Sequence, residues 1–289
     1  VKTPELVTDP AAWAARCRED RARGATLALV PTMGYLHEGH VSLLREARRR
    51  ADAGGGRGLA LATIFVNPTQ FGPNEDLARY PRDLEGDLAK CAAAGVDRVL
   101  APADPGQVFR PGHETWVEVE GVSQGLCGAA RPGHFRGVAT VVLKLLNLTR
   151  PQVAIFGEKD FQQLAVIRAM ARDLDLDVEI AGMPIVREPD GLAMSSRNAY
   201  LSADERRRAL ALSRALAAAR ARAAAGERDA AALREGARAA LLAADARPDY
   251  VEIVDPVALR PVAVAAPGSV MLLAAFVGRT RLIDNAVLP

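Results

Sequence analysis

The chain has 289 residues, 49% of them hydrophobic and 25% charged, with 37 Lys plus Arg set against 35 Asp plus Glu. At about 150 residues per domain, this length fits one large globular domain or two ordinary ones, and the average composition excludes extended disorder. The net charge of +2 gives no global attraction to nucleic acid or to an acidic membrane.

From residue 26 to about 185, short apolar runs alternate with amphipathic stretches. This is the pattern of parallel strands joined by crossover helices. In chain order, strand Thr26–Val30 leads to helix His37–Ala51, strand Leu59–Val66, helix Leu84–Ala94 and strand Val96–Ala101. Strand Thr115–Glu120, helix Val138–Leu148, strand Gln152–Phe156, helix Lys159–Leu174 and strand Asp177–Ile180 follow. The expected fold is therefore α/β, a doubly wound parallel sheet over residues 1–185. After the turn Pro189-Asp190-Gly191, Ser202-Ala-Asp-Glu205 has the S-x-x-E form of a capping box. It opens a long Ala/Arg helix to about Ala225, which Gly226 interrupts, and a second helix runs to about Ala244. Strands near Tyr250–Val254, Val270–Val277 and Arg281–Asp284 complete a smaller C-terminal α+β domain over 186–289.

Cys17, Cys91 and Cys127 are odd in number and form no C-x-x-C pair, which argues against a disulfide framework or zinc knuckle and for a reducing cytoplasm. No run of 18 apolar residues is present, and Glu5 and Asp9 stand where a secretory signal needs a basic start, so neither a span nor targeting is expected. No Gly-Lys dipeptide occurs, which excludes the phosphate loop G-x-x-x-x-G-K-[ST]. Gly121-Val-Ser123-Gln-Gly125 matches G-x-S-x-G, yet Gly128 and Pro132 follow where a nucleophile elbow needs a continuous helix.

His37-Glu-Gly-His40 is more informative, because its histidines lack the i, i+4 spacing of a zinc protease and stand at a strand–glycine turn–helix junction. There they sit beside the N–H groups and positive dipole end of a helix, a place that binds phosphate and can stabilise the charge of departing pyrophosphate. Two ordinary surface histidines are the alternative. Lys159, one of only four lysines, follows a strand in Gly-Glu-Lys-Asp, where its charge could meet phosphate oxygens. Gln70 and Gln163 follow strand ends at the carboxyl edge, where α/β sheets place ligands.

Pro31-Thr-Met-Gly-Tyr-Leu-His-Glu-Gly-His40 resembles the H-x-G-H signature of class I aminoacyl-tRNA synthetases and nucleotidyltransferases. In full it resembles the pantothenate synthetase (pantoate–β-alanine ligase) family. So do Phe65-Val-Asn-Pro-Thr-Gln-Phe-Gly72, Tyr80-Pro-Arg-Asp83, Arg131-Pro-Gly-His-Phe-Arg-Gly137, Gly157-Glu-Lys-Asp-Phe-Gln-Gln163 and Met194-Ser-Ser-Arg-Asn198, in the family's order. Beyond about residue 205 the chain resembles the family only in length and general character.

The resemblance implies a Rossmann-like nucleotide domain with the smaller domain as a lid, and an ATP-dependent ligation. Pantoate and ATP give pantoyl-adenylate and pyrophosphate, then the amine of β-alanine displaces AMP. It implies that His37, His40 and Lys159 are catalytic, with His37 also in proton transfer. The ATP-contacting wall is then Pro31, Thr32, Met33, Gly34, Tyr35, Leu36, Glu38 and Gly39 with both histidines. Further ATP contacts are Gly157, Glu158, Lys159, Asp160 on the ribose hydroxyls, Val186, Met194, and the phosphate-loop residues Ser195, Ser196 and Arg197. Gln70, Gln163 and neighbouring Asn67 would hold pantoate, with Gln70 near β-alanine as well. Asp87 matches a position associated with Mg²⁺, and Gly86 stands where some members have a second acidic residue, which leaves the triphosphate to supply most of the metal's ligands.

The expected partners are therefore small molecules, with no nucleic acid and no membrane, in a cytoplasmic homodimer on the route to coenzyme A. A nucleotidyltransferase that releases its adenylylated product would share the histidines but need no amine substrate. An RNA-binding remnant of a synthetase is disfavoured by the near-neutral charge and the lack of an obvious anticodon-binding extension.

Overall fold

Strands buried on both faces read as unbroken apolar runs, and Leu27–Val30 and Leu59–Ala62 are runs of this kind. In the computed structural model, which describes residues 2–54, 56–73 and 75–289, both become central strands of a six-stranded parallel sheet. The elements of the first part are β1 (Glu5–Val7), α1 (Pro10–Ala22), β2 (Thr26–Thr32), α2 (Glu38–Asp52), β3 (Gly58–Ile64), α3 (Leu84–Ala93) and β4 (Arg98–Leu100). There follow α4 (Leu126–Ala130), α5 (His134–Thr149), β5 (Val153–Gly157), α6 (Phe161–Asp173) and β6 (Glu179–Met183). The strand order is β1-β4-β3-β2-β5-β6, so the sheet is doubly wound and its direction of growth reverses at β2. Ligands of such sheets collect beyond the carboxyl ends of the strands at that reversal.

Alternate strand residues face opposite sides of a sheet. Ala28, Val30, Ala60, Ala62, Val153 and Ile155 pack with Leu44, Ala47 and Ala51 of α2, while Leu27, Leu29 and Leu61 of the same strands are also fully buried. Helix α1 packs on α5, where the fully buried Trp13 donates its indole N–H to Thr149 Oγ1 at 2.9 Å.

Two compact units are present: Val1–Glu120, Arg131–Glu158 and Val166–Pro184 form one, and Gly121–Ala130, Lys159–Ala165 and Ile185–Pro289 the other. The second contains α7 (Ala203–Ala224), α8 (Ala230–Ala243) and the antiparallel sheet β7 (Arg247–Val254), β8 (Val270–Val277) and β9 (Thr280–Val287), in that order. Its core joins Leu212, Leu216, Leu233 and Leu241 to Ile253, Met271 and Leu273, with alanines at the remaining buried positions of α7. The expected capping box opens α7: Glu205 N–H donates to Ser202 Oγ at 3.2 Å, and Ser202 N–H to Glu205 Oε2 at 2.9 Å.

Three expectations are corrected. Thr115–Glu120 pairs with no strand among the described residues, although Val117 and Val119 are half-buried while Glu118 and Glu120 are exposed, so the period-two pattern is present without a strand neighbour. Lys159 lies in a 3-10 turn, Glu158–Asp160, and α6 begins only at Phe161. Strand β1, helix α1 and the short α4 are additional elements. Among the described residues, no helix is long and apolar enough to cross a membrane.

Candidate active site

Beyond β2 the chain makes a tight turn built from two successive left-handed residues, Gly34 (φ +82°) and Tyr35 (φ +51°). Its four amides all have internal acceptors. Gly34 N–H donates to Thr32 Oγ1 at 3.2 Å, Tyr35 N–H to Asp87 Oδ2 at 2.7 Å, Leu36 N–H to Asp87 Oδ1 at 2.6 Å and His37 N–H to His40 Nδ1 at 3.3 Å. Donors for an anion at this junction therefore come from the imidazoles and the first turn of α2, not from the turn itself. His37 is the residue before the helix, with extended backbone, and His40 lies in the first helical turn; their rings sit 4.1 Å apart. Because His40 Nδ1 accepts, a neutral ring carries its proton on Nε2 and presents that N–H as a donor. Glu38 turns aside to pair with Arg45.

The loop after β3 carries Asn67 and Gln70. Asn67 is 1% exposed and uses its amide within the protein. Its Nδ2 donates to Gln70 Oε1 at 3.1 Å and Gly137 O at 3.2 Å, while Oδ1 accepts from Thr69 N–H and Oγ1. Asn67 thus sets the face of Gln70, whose Nε2 lies 3.2 Å from Met33 Sδ. Gly137 is required here, because a Cβ on it would fall well inside van der Waals contact of the Thr69 carbonyl oxygen.

Behind the loop stands a cluster that joins Arg131 and His134, quoted above without a role, to Glu75. His134 is buried; its Nδ1 lies 2.8 Å from Gln70 O and its Nε2 3.0 Å from Arg131 Nη1. A carbonyl can only accept and a guanidinium can only donate, so His134 is neutral with its proton on Nδ1. Arg131 also donates to Glu75 through Nε at 2.7 Å and Nη2 at 2.6 Å. Burial is the largest influence on Glu75 and pushes its carboxyl up, but the hydrogen bond and charge of Arg131 together outweigh it and hold the group below its ordinary range.

Asp87 is 1% exposed. Burial pushes its carboxyl up, against the two amides of Leu36 and Tyr35 that favour the ionised form. Both oxygens are committed to those amides, and a Cβ on Gly34 would lie 2.9 Å from Oδ2, so the group is packed as well as bonded. Among the described residues no group of three or more His, Cys, Asp or Glu side chains could hold a metal ion. Asp87 does not fit the Mg²⁺ site that the resemblance implies.

In the second unit, Lys159, Ser195, Asn198 and Asp284 line one small pocket. Asn285 Nδ2 donates to the Lys159 carbonyl at 3.0 Å, which fixes the turn carrying the ammonium. Val186 and Met194 face each other across the Pro189–Gly191 turn, with Met194 N–H on Val186 O at 3.0 Å. Asn198 Nδ2 donates to Glu188 Oε1 at 2.7 Å, which braces the end of the Ser195–Arg197 loop, and Arg187 makes a two-point ion pair with the buried Asp284 at 2.7 and 2.9 Å. Ser195 Oγ accepts from Arg197 N–H at 3.3 Å. Asp160 lies 3.7 Å from Lys159 Nζ. Of the two adjacent glutamines, Gln162 is buried and ties down the 122–127 segment through four hydrogen bonds, while Gln163 is half-buried on α6. Ser123 sits in that tied segment between two left-handed glycines, with no strand leading into it and no nucleophile elbow.

The structure thus brings the histidines, Met33, Gln70 and Asn67 into one connected loop system of the first unit, and Lys159 and Ser195 into one pocket of the second. Glu75, Arg131, His134, Arg187, Glu188, Asp284 and Asn285 are the supporting residues that the sequence reading did not assign. A polar pair, one carboxylate and one amide, inside the apolar strand pattern Leu282–Ala286 was the available signal for Asp284 and Asn285.

The family model of pantoate-beta-alanine ligase matches residues 5–287. A pantothenate synthetase of Anaeromyxobacter dehalogenans is 76% identical over 289 residues, covering 100% of both chains, and one of Myxococcus xanthus is 61% identical, covering 97% of this chain and 94% of its own. The crystal structure of pantothenate synthetase from Thermus thermophilus superposes with a TM-score of 0.91 at 45% identity, over 99% of this chain and 100% of that one. The pantoate-beta-alanine ligase of Francisella tularensis, solved with beta-gamma ATP and beta-alanine, gives 0.79 at 29% identity over 98% and 97% of the two chains. Matched along almost its whole length in sequence and in fold, the chain belongs to the pantoate-beta-alanine ligase family.

Proposed function

We propose that the residues described above perform the family's ligation, ATP-dependent condensation of pantoate with β-alanine, in two steps. A carboxylate is a poor acyl donor, so a pantoate carboxylate oxygen first attacks the α-phosphate of ATP; the bond to the β-phosphate breaks, leaving pantoyl-adenylate and pyrophosphate. Charge develops on that leaving group. The Nε2–H of His40, the His37 imidazole and the Lys159 ammonium are its donors; the His40 ring is held by the His37 N–H, and the backbone carrying Lys159 by Asn285. Pro31–His40, Gly157–Asp160, Val186 and Met194–Arg197 form the remaining ATP contacts, with Asp160 on the ribose.

Gln70 and Gln163 hold pantoate through amides that both donate and accept. Asn67 serves them indirectly by orienting Gln70. In the second step the neutral amine of β-alanine attacks the mixed-anhydride carbonyl, and AMP departs with the electron pair of the broken acyl–phosphate bond. Mg²⁺, bound with ATP, would neutralise charge on the triphosphate, and Asp87 offers it no open position.

The observation that carries this reading is the bonded pair of histidines at the carboxyl end of β2, the central strand where the sheet reverses. Purified protein with ATP, Mg²⁺ and pantoate alone is expected to exchange labelled pyrophosphate into ATP. Exchange that requires β-alanine would overturn the two-step order.

The setting proposed is a cytoplasmic homodimer. Cys17, Cys91 and Cys127 are all free thiols, as a reducing compartment leaves them. The unpaired alternating segment 115–120, with Trp116 exposed beneath the Arg136 guanidinium at 4.5 Å, has the form of an edge awaiting a second copy of the chain.

A further inference from the structure

We propose that Asp87 is a positioning residue, the strut that holds the Gly34–Tyr35–Leu36 turn and through it His37 and His40, and that it is not a ligand of Mg²⁺. The role rests on the reading that these histidines act on the triphosphate. Two successive left-handed residues point consecutive N–H groups into one concavity, a nest for an anion. In most phosphate-binding loops that anion belongs to the ligand. Here the nest holds the protein's own carboxylate, Tyr35 N–H on Oδ2 at 2.7 Å and Leu36 N–H on Oδ1 at 2.6 Å.

The turn needs such an anchor. A non-glycine residue in the left-handed region is strained by its Cβ, and such conformations persist only where their surroundings over-determine them. Tyr35 is in that region, immediately before the residue that opens α2. Losing the carboxylate would free the turn to relax by moving Leu36 and then His37, whose amide is bonded to His40. One side chain of α3 thus governs both imidazoles from a distance of some fifty residues in sequence.

The same packing excludes the metal. Mg²⁺ demands near-octahedral oxygens at about 2.0–2.1 Å and keeps several waters, whereas Asp87 is 1% exposed and lies so close to Gly34 that even a Cβ there would stand 2.9 Å from Oδ2. Residue 86 is glycine and offers no ligand, and the neighbouring carboxylate, Asp83, spends Oδ1 on the amide of Gly86 at 3.0 Å as the cap of α3.

Asp87→Asn preserves shape but replaces one acceptor with a donor that repels an N–H. Single-turnover adenylation with ATP and pantoate is expected to slow by about 10–10²-fold, the usual effect of misplacing a preorganised group. The second step, started from added pantoyl-adenylate and β-alanine, should keep its rate within about twofold. The Mg²⁺ concentration for half-maximal adenylation should also stay within about twofold, because no ligand has been removed. Hydrogen exchange at residues 35–36 gives a readout independent of catalysis and should accelerate by about tenfold or more. Gly34→Ala, which drives a Cβ against Oδ2, should reproduce this signature should Asp87→Asn fail to fold.

A Mg²⁺ requirement raised tenfold or more, with the rate recovered at saturating metal, would make Asp87 a ligand and overturn the proposal. Unchanged adenylation, equal loss of both steps, or unaltered exchange would overturn it as well. If the unaltered protein shows no pantoate-dependent pyrophosphate exchange but Asp87→Asn still deprotects residues 35–36, the ligase reading fails while the strut stands.

Discussion

Replacing His134 with alanine tests whether the Glu75–Arg131–His134 cluster sets the substrate loop. The imidazole bridges Arg131 Nη1 at 3.0 Å and the Gln70 carbonyl at 2.8 Å, and it is 8% exposed. On its removal Arg131 keeps both bonds to Glu75, and Gln70 O keeps only the longer contact from Arg131 Nη2 at 3.3 Å. Two hydrogen bonds of the buried ring are lost and a ring-sized void is left, a cost of about 2–4 kcal/mol in unfolding free energy. The effect on pantoate is smaller, because Asn67 still orients the Gln70 side chain. A rise in the pantoate KM of about tenfold, or 1.4 kcal/mol, is expected, with kcat changed less. His134→Asn keeps a donor near the Nδ1 position and should recover most of KM but less of the stability. Denaturant unfolding and steady-state kinetics at varied pantoate measure both quantities. A His134→Ala enzyme that is clearly destabilised yet retains the wild-type pantoate KM would refute the link between this cluster and Gln70.

His37→Ala and His40→Ala should each lower the single-turnover adenylation rate by about 10²–10³-fold with little change in pantoate affinity, the usual loss for one preorganised donor; unchanged rates would return both to surface histidines. Lys159→Ala should act in the same direction, and Asn285→Ala, which removes only the brace on the Lys159 carbonyl, should give a smaller fall, ordering the two by rapid-quench measurement. Glu75 has a folded pKa below its ordinary 4.5, so its contribution is present above that value and lost as the pH falls through the folded one. The stability gap between wild type and Glu75→Gln should therefore narrow in urea titrations below about pH 4.5. Glu118→Pro, which removes an N–H from the unpaired 115–120 segment, should shift sedimentation toward monomer, and an unaltered sedimentation profile would dismiss that edge as the dimer contact.

The central strands and their helices were legible because parallel strands buried on both sides leave an unbroken apolar signal, as in Leu59-Ala-Leu-Ala62, and because Ser202 and Glu205 cap α7 as their spacing requires. Strand β1 was not, since Glu5-Leu-Val7 is too short to show any period; its existence depends on β4, with which it pairs residue for residue. Helix α1 did carry a signal, Asp9-Pro10, and Asp9 accepts from the amides of Ala11 and Ala12 at 3.1 Å as an N-cap should. Thr115–Glu120 shows the converse. Alternation specifies a strand only when another strand is there to accept its amides, and the one visible partner of Val117 N–H is the Thr140 hydroxyl at 3.0 Å.

The site divides along a similar line. Residues that would meet the ligand stand in compact motifs and were readable, whereas residues that hold them act across the fold: Asp87 on Leu36 over 51 positions, His134 on Gln70 over 64, Asn285 on Lys159 over 126. Asp87 nonetheless left a trace. Asp83 and Asp87 lie one helical turn apart, and the first caps α3, as an acidic residue before a helix does. The second shares a face with Cys91, four residues on, and both are buried. A carboxylate on the apolar stripe of a helix cannot remain unpaired, because burial without hydrogen bonds costs several kcal/mol. It must find a metal, a cation or backbone amides. The turn at Gly34-Tyr35, whose glycine permits its left-handed start, brings the amides of Tyr35 and Leu36, so the choice between metal ligand and strut is posed by the helix, and the strut proposed above rests on a loop that only the fold brings to it.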